Sequence, residues 1–130
     1  MGETHQKKTI DTIEKISKEI GKIPVKCNNS PGFVSNRILM PMINEAAHCY
    51  YEKVADAKSI DQIMKLGMGH PIGPLKLADL IGIDVCVFIM NILYKDFNDK
   101  KYKPCLILDQ MLEKNKLGKK TGEGFYKYEV

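Results

Sequence analysis

Only one short segment of this chain has the pattern of a β-strand, and this limits the folds that the chain can adopt. The segment KIPVKC (22–27) follows a helical pattern at 4–21, which has a stripe of isoleucines and ends at a glycine. No second strand pattern follows, and a single strand has no partner for its backbone hydrogen bonds. We therefore interpret residues 1–28 as the last helix and strand of an α/β domain. Residues 29–130 are predicted to form a separate, all-α domain.

Helix signals fill the rest of the chain. Residues 33–53 carry apolar side chains at helical spacing, and Ser59 with Gln62 has the pattern of a capping box for a helix ending near Gly67. Pro74 suits the first turn of a helix that stops at Gly82. These signals predict a multi-helix domain with short connections.

Two further helices are predicted beyond Gly82. Asp84 is interpreted as the cap of a helix at 85–97, and Asp79 is likewise interpreted as a capping residue. The 85–97 segment is apolar nearly all round, so it is either central in the core or shared with a partner. Pro104 is expected to open a last helix, which runs to about residue 116 and precedes a turn and an aromatic tail.

Composition and charge exclude several classes of function. The formal charge is +4, and lysines cluster at 99–103 and 114–120, but no recognition-helix or interleaved aromatic pattern accompanies them. We therefore expect a solvated surface and no nucleic-acid partner, with polyanion binding as the weaker alternative. No run of about 18 apolar residues is present and the N-terminus is unlike a signal peptide. These features predict no membrane span and a cytoplasmic location.

No metal, dinucleotide or unaided catalytic site is expected from the motifs. The four cysteines and three histidines lack metal-ligand spacing. The stretch GMGHPIG (67–73) resembles a dinucleotide-binding glycine motif, but it has one residue too many and follows a helix. Glu45 and His48 could meet on one helix, although a surface pair is the commoner outcome. His70 is expected to be a structural loop residue.

Asn36 is the main candidate site residue. This amide lies inside the apolar run FVSNRILMP, on the same helix face as Met40 and Ile43. An amide can donate and accept hydrogen bonds at once, so Asn36 could hold a substrate oxygen and orient a neighbouring catalytic group. The alternative is that it satisfies backbone groups near Pro41 or in the first turn. Periodicity favours neither.

Three ordered motifs closely resemble the C-terminal domain of 3-hydroxyacyl-CoA dehydrogenases, and most closely the bacterial 3-hydroxybutyryl-CoA dehydrogenases. They are PGFVSNRILMPMINEA (31–46), IDQIMKLGMGHPIGPLKLADLIGIDV (60–85) and LGKKTGEGFYKY (117–128). The resemblance implies that residues 1–28 are the end of a dinucleotide-binding domain. It also implies that residues 29–130 form the helical domain that contributes to the substrate site and forms a homodimer.

The resemblance also implies a reaction and a role for Asn36. The reaction is the reversible oxidation of a 3-hydroxyacyl-CoA to a 3-oxoacyl-CoA by NAD or NADP, with a histidine as base. Asn36 matches the family's asparagine that orients the substrate. The catalytic histidine, its glutamate partner and the cofactor site belong to the family's other domain, so the chain alone is expected to bind no cofactor and to be inactive. The alternative function is a free-standing, non-catalytic acyl-CoA-binding or oligomerisation module.

Overall fold

The computed structural model describes residues 31–129, and the regular structure in this range is helical. The prediction of an all-α domain is confirmed for this range. The predicted helix at 4–21, the strand at 22–27 and the domain boundary at residues 28 and 29 lie outside the described residues. The elements are α1 (Pro31–Tyr51), α2 (Ala57–Gln62), a π turn (Ile63–Gly67), α3 (Pro74–Ile81), α4 (Ile83–Phe97), a 3-10 turn (Lys100–Tyr102), α5 (Leu106–Glu113) and a second 3-10 turn (Lys119–Thr121).

Helix α1 runs through Pro41 and ends two residues before the predicted end at 53. Met40, Ile43 and Ala47 on one face of the helix are buried, which confirms the apolar face that the spacing predicts. Asn44 lies beside them and is also buried. Its amide donates to the Lys103 carbonyl at 2.8 Å and accepts from the Cys105 N–H at 2.7 Å. This pair of bonds fastens α1 to the segment before α5.

The predicted capping box at Ser59 is wrong. The cap of α2 is Asp56, three residues earlier, because Asp56 has extended backbone angles and its carboxylate accepts from the Ser59 N–H at 2.8 Å. Ser59 is therefore in the first turn. The end of the segment near Gly67 is confirmed, although its last five residues form a π turn.

Gly82 separates α3 from α4, as predicted, but it does so with a single residue. Its φ of 110° is a conformation that glycine adopts at low cost, and its N–H donates to the Ala78 carbonyl at 2.8 Å. Helix α4 begins immediately afterwards at Ile83. The interpretation of Asp84 as its cap is therefore wrong, because Asp84 lies inside the first turn.

Helix α4 is buried on one face and apolar on its exposed face as well. The buried residues are Ile83, Cys86, Val87, Met90 and Leu93. On the other side, Phe88 is 67% exposed and Ile92 is 41% exposed. The nearly continuous apolar character of the sequence therefore corresponds to a core face and a second, uncovered face.

The C-terminal segment, predicted as a turn and an aromatic tail, is hydrogen-bonded to α2 and α3 through Asp61 and Asp79. Antiparallel bridges join Gly118 to Glu123 and Glu123 to Lys127. Helix α5 is shorter than predicted and ends at Glu113. Within residues 31–129, no single helix is long and apolar enough to cross a membrane, although α3 and α4 taken together, which are bent by 99°, pass the same test of length and composition.

Candidate functional site

Asn36 lies in the second turn of α1, and its side chain is half-buried. Among the described residues, no hydrogen bond joins its amide to the backbone of its own helix. The donor and acceptor groups of the amide are therefore not used to repair the helix near Pro41. This geometry leaves them available to a ligand.

The other residues that the sequence singled out do not assemble into a catalytic set. Glu45 is exposed, His48 is half-buried, and no ion pair joins them within the described part of the chain. The His70 N–H donates to the Met64 carbonyl at 3.2 Å, which fits a structural role in the loop. Residues 31–129 contain no group of three or more His, Cys, Asp or Glu side chains that could hold a metal ion.

Asp61 is a buried carboxylate that holds the start of α3. Its two oxygens accept from the N–H groups of Leu75 and Lys76, each at 2.9 Å, and one of them also accepts from the Tyr126 hydroxyl at 2.6 Å. A carboxylate is favourable at a helix N-terminus, where free N–H groups carry partial positive charge. A Cβ on the buried Gly73 would overlap the Asp61 side chain, so this glycine allows the close approach.

The same contacts exclude a dinucleotide from the glycine-rich loop. A bound pyrophosphate needs free N–H groups at a helix N-terminus, and here Asp61 already occupies those of Leu75 and Lys76. The loop also lies between the π turn and α3 instead of following a strand. The described residues therefore do not fit NAD or NADP at this position.

Asp79 is a second buried carboxylate, and it holds the C-terminal segment. It is 1% exposed and accepts from the N–H groups of Phe125 at 2.9 Å and Tyr126 at 3.0 Å, and from the Tyr128 hydroxyl at 2.8 Å. Burial raises its pKa above the ordinary 3.8, although these three donors oppose the change. The interpretation of Asp79 as a helix cap is wrong, because its partners lie about 46 residues away along the chain.

Lys76 lies above the two tyrosines that bind these aspartates. Its ammonium group is 4.4 Å from the centre of the Tyr128 ring and 5.3 Å from that of Tyr126. Burial lowers the pKa of Lys76, while Asp79 and Asp61 act in the opposite direction. The pKa values of both tyrosine hydroxyls are raised, first by burial and then by the neighbouring carboxylates. The cluster is therefore a structural network whose hydroxyls stay protonated.

Asp84 makes a surface ion pair instead of a cap. Its carboxylate is 2.6 Å from the ammonium group of Lys120, and this contact is the first cause of its lowered pKa. Both side chains are nearly half exposed, so the pair contributes little to stability.

A cleft opens between the last turn of α1, α5 and the C-terminal segment. Its volume is about 260 Å³, and its lining residues include Tyr50, Phe125 and Tyr126, whose side chains also pack against the core. The rings of Tyr50 and Phe125 meet edge to face, with centroids 5.3 Å apart. Lys114 and Lys127 lie at the same cleft.

Sequence reasoning missed Asp61 and the tyrosine partners of both aspartates. Asp61 lies next to Ile60, and both are buried. An acidic residue between apolar helix positions was the one available signal, since buried carboxylates require donors. The donors themselves could not be identified, because Tyr126 is 65 residues from Asp61.

The family sequence model of the 3-hydroxyacyl-CoA dehydrogenase C-terminal domain matches residues 32–128 of this chain. A 3-hydroxybutyryl-CoA dehydrogenase of Clostridioides difficile is 53% identical over 127 residues, which are 98% of this chain and 45% of that protein. The mitochondrial hydroxyacyl-coenzyme A dehydrogenase of Homo sapiens is 43% identical over 122 residues, 93% of this chain and 39% of that protein. The chain thus spans less than half the length of these relatives.

A solved structure shows the same fold. The (S)-3-hydroxybutyryl-CoA dehydrogenase of Ralstonia eutropha superposes with a TM-score of 0.79 at 49% sequence identity. The superposition covers 92% of this chain and 42% of that one. The family match and this superposition cover the same helical region, and the chain belongs to the family of 3-hydroxyacyl-CoA dehydrogenase C-terminal domains.

Proposed function

We propose that this chain is the substrate-site and dimerisation part of a 3-hydroxybutyryl-CoA dehydrogenase, which interconverts 3-hydroxyacyl-CoA and 3-oxoacyl-CoA. The observation that carries the proposal is the family match over residues 32–128, together with 53% identity to a relative of that name. In this proposal, residues 1–28 are the end of the cofactor domain. NAD or NADP accepts the hydride and binds outside residues 31–129, whose glycine-rich loop does not fit it.

Asn36 is proposed to orient the substrate. Its half-buried amide forms no hydrogen bond to its own helix in the described part of the chain, so it can donate to the oxygen at the reacting carbon. A positioned donor of this kind contributes most where charge develops in the transition state. Removing one typically lowers turnover by about 10²–10³-fold.

The test is steady-state kinetics of the full-length polypeptide that carries this sequence. We expect Asn36→Ala to lower kcat for reduction of acetoacetyl-CoA by about 10²–10³-fold, with little change in thermal stability. Gln62→Ala is the matched control, because Gln62 is an exposed helical amide outside the family's site motif. Near-wild-type turnover of Asn36→Ala would refute the role of this residue.

The exposed face of α4 is proposed as the homodimer surface. Phe88 and Ile92 lie one turn apart on this face, and a helix with apolar residues on both faces needs a second partner. We expect Phe88→Asp to convert the dimer to a monomer in light scattering. Leu66→Asp, at another exposed apolar position, is the control and should leave the dimer intact. A dimer that persists in Phe88→Asp would exclude this face.

We propose that the protein is located in the cytoplasm. The Cys49, Cys86 and Cys105 thiols are free, which fits a reducing compartment.

The alternative function is a free-standing acyl-CoA-binding or oligomerisation module. The size of the native polypeptide on an immunoblot distinguishes it from the dehydrogenase. A band at about twice 14.7 kDa or slightly more supports the dehydrogenase, and a band near 14.7 kDa supports the module.

A further inference from the structure

We propose that the exposed face of α4 packs, in the homodimer, on an exposed stripe of α1 in the partner copy, and that the partner's α4 covers α1 in return. The α1 stripe consists of Val34, Ile38, Pro41 and Glu45, and the α4 stripe consists of Val85, Phe88, Ile92 and Lys95. The inference rests on the proposed dimer and deepens it by naming the surface that covers α4.

Both stripes have the residue spacing of helix-packing surfaces. Counted from the first residue of each stripe, the others follow after four, seven and eleven residues in α1 and after three, seven and ten in α4. Alternating steps of three and four keep side chains on one face of a helix, as in the heptad repeat of paired helices. Ile38 is 70% exposed, as much as Phe88 on α4. Each copy therefore has two uncovered stripes of the same kind.

The presence of two stripes favours a reciprocal contact. In a two-fold symmetric dimer every contact occurs twice, so that a surface of one copy meets its complement on the other and the reverse. Packing of α1 on the partner's α4 therefore covers both stripes of both copies. Packing of α4 on the partner's α4 would leave Val34 and Ile38 in solvent.

Charge sets the direction of this contact. Glu45 ends the α1 stripe and Lys95 ends the α4 stripe; both are exposed, and neither forms an ion pair with another residue in 31–129. The two stripes are nearly equal in length, so a parallel alignment places Val34 level with Val85 and Glu45 level with Lys95. The reverse alignment would bring Glu45 next to Asp84. Opposite charges therefore favour the parallel arrangement.

The contact leaves the candidate site residue accessible. Asn36 lies two residues from both Val34 and Ile38, which is about 200° around the helix, so its side chain is on the opposite side from the stripe. The partner copy thus holds the helix that carries Asn36 without covering its amide.

Sedimentation of the full-length polypeptide that carries this sequence tests the pairing through charge reversal. We expect Glu45→Lys and Lys95→Glu each to weaken the dimer by about 10-fold or more, because like charges then meet at both contacts. An equimolar mixture of the two variants should form a heterodimer of nearly wild-type stability, since each of its two contacts again joins opposite charges. The double variant Glu45→Lys/Lys95→Glu should recover a homodimer for the same reason.

The matched controls are Glu113→Lys and Lys65→Glu, which reverse the same charges at exposed positions outside both stripes and should leave the dimer unchanged. If the mixture and the double variant stay as weak as the single variants, the pairing of α1 with α4 is overturned, while Phe88→Asp still tests α4 itself as the dimer surface. Single variants that dimerise as tightly as wild type would also overturn it. A wild-type protein that sediments as a monomer would overturn both this inference and the proposed dimer.

Discussion

Replacing Asp79 by alanine tests the structural role of the buried carboxylates most directly. Asp79 accepts three hydrogen bonds, from the N–H groups of Phe125 and Tyr126 and from the Tyr128 hydroxyl, at distances of 2.8–3.0 Å. Each hydrogen bond to a charged group contributes about 1.5–3 kcal/mol to stability. The substitution removes all three bonds and leaves their donors without an acceptor.

Two effects reduce this loss. Burial raises the pKa of Asp79, so removing the carboxylate relieves part of its desolvation cost. The Phe125 and Tyr126 N–H groups are only partly buried, and water can replace some of their bonds once the C-terminal segment moves. We therefore expect Asp79→Ala to lower the free energy of unfolding by about 3–5 kcal/mol. For a domain of this size, this corresponds to a decrease in Tm of more than about 10 °C.

Urea unfolding and hydrogen exchange together measure this prediction. The Phe125 and Tyr126 amides should exchange faster in Asp79→Ala, because the C-terminal segment loses its anchor. Asp96→Ala removes an exposed carboxylate on α4 and serves as the control. Tyr128→Phe removes one bond and should cost about 1–2 kcal/mol. If Asp79→Ala and Asp96→Ala were equally stable, the assigned role of Asp79 would be refuted.

Three further predictions follow from the same packing. Gly124→Ala should lower the free energy of unfolding by about 2 kcal/mol or more in thermal melts, because a Cβ at this position would overlap the Asp79 carboxylate. Gly67→Ala is the control, since a Cβ there meets open space. Burial raises the pKa of the Cys86 thiol to about 12. At pH 8, iodoacetamide should therefore alkylate Cys86 at least ~10³-fold more slowly in the native protein than in the unfolded chain. Mass spectrometry measures both rates, and comparable rates would contradict the burial of Cys86. The pKa of Asp79 is higher in the folded state, so the native protein keeps the proton of this carboxyl group to higher pH than the unfolded chain does. The contribution of Asp79 to stability therefore falls as the pH rises from 3.8 through the folded pKa. The stability of wild type relative to Asp79→Asn should therefore fall as the pH rises above 3.8 in urea titrations, and parallel profiles would exclude this titration.

Helix ends were predictable where a local residue determines them and unpredictable where two local signals compete. Pro74 and Gly82 bound α3 as expected, since each acts through its own backbone angles. Ser59 has the sequence pattern of a cap, but Asp56 has the extended backbone that a cap requires, and this conformation is not readable from the pattern. Asp84 failed as a cap because Gly82 alone separates two helices, which leaves no residue between them to act as a side-chain cap.

The long-range contacts could not be predicted from local pattern. The partners of Asp61 and Asp79 lie in the C-terminal segment, which periodicity identified only as a turn and an aromatic tail. The cleft was missed for the same reason, since α1, α5 and that segment form it jointly. Asn36 was identified by its motif, and its catalytic role stays a prediction.

The structure gives a packing role to several of the motif residues and none to Asn36. Asp61, Asp79 and Tyr126 each have a complete set of partners, and Gly124 lies where a side chain would not fit. In this chain, packing and hydrogen bonding explain these residues without any role in activity. Asn36 has no such explanation, because its half-buried amide makes no bond to its own helix among the described residues. Its role in the proposed dehydrogenase therefore stays a prediction, which the kinetics of Asn36→Ala test directly.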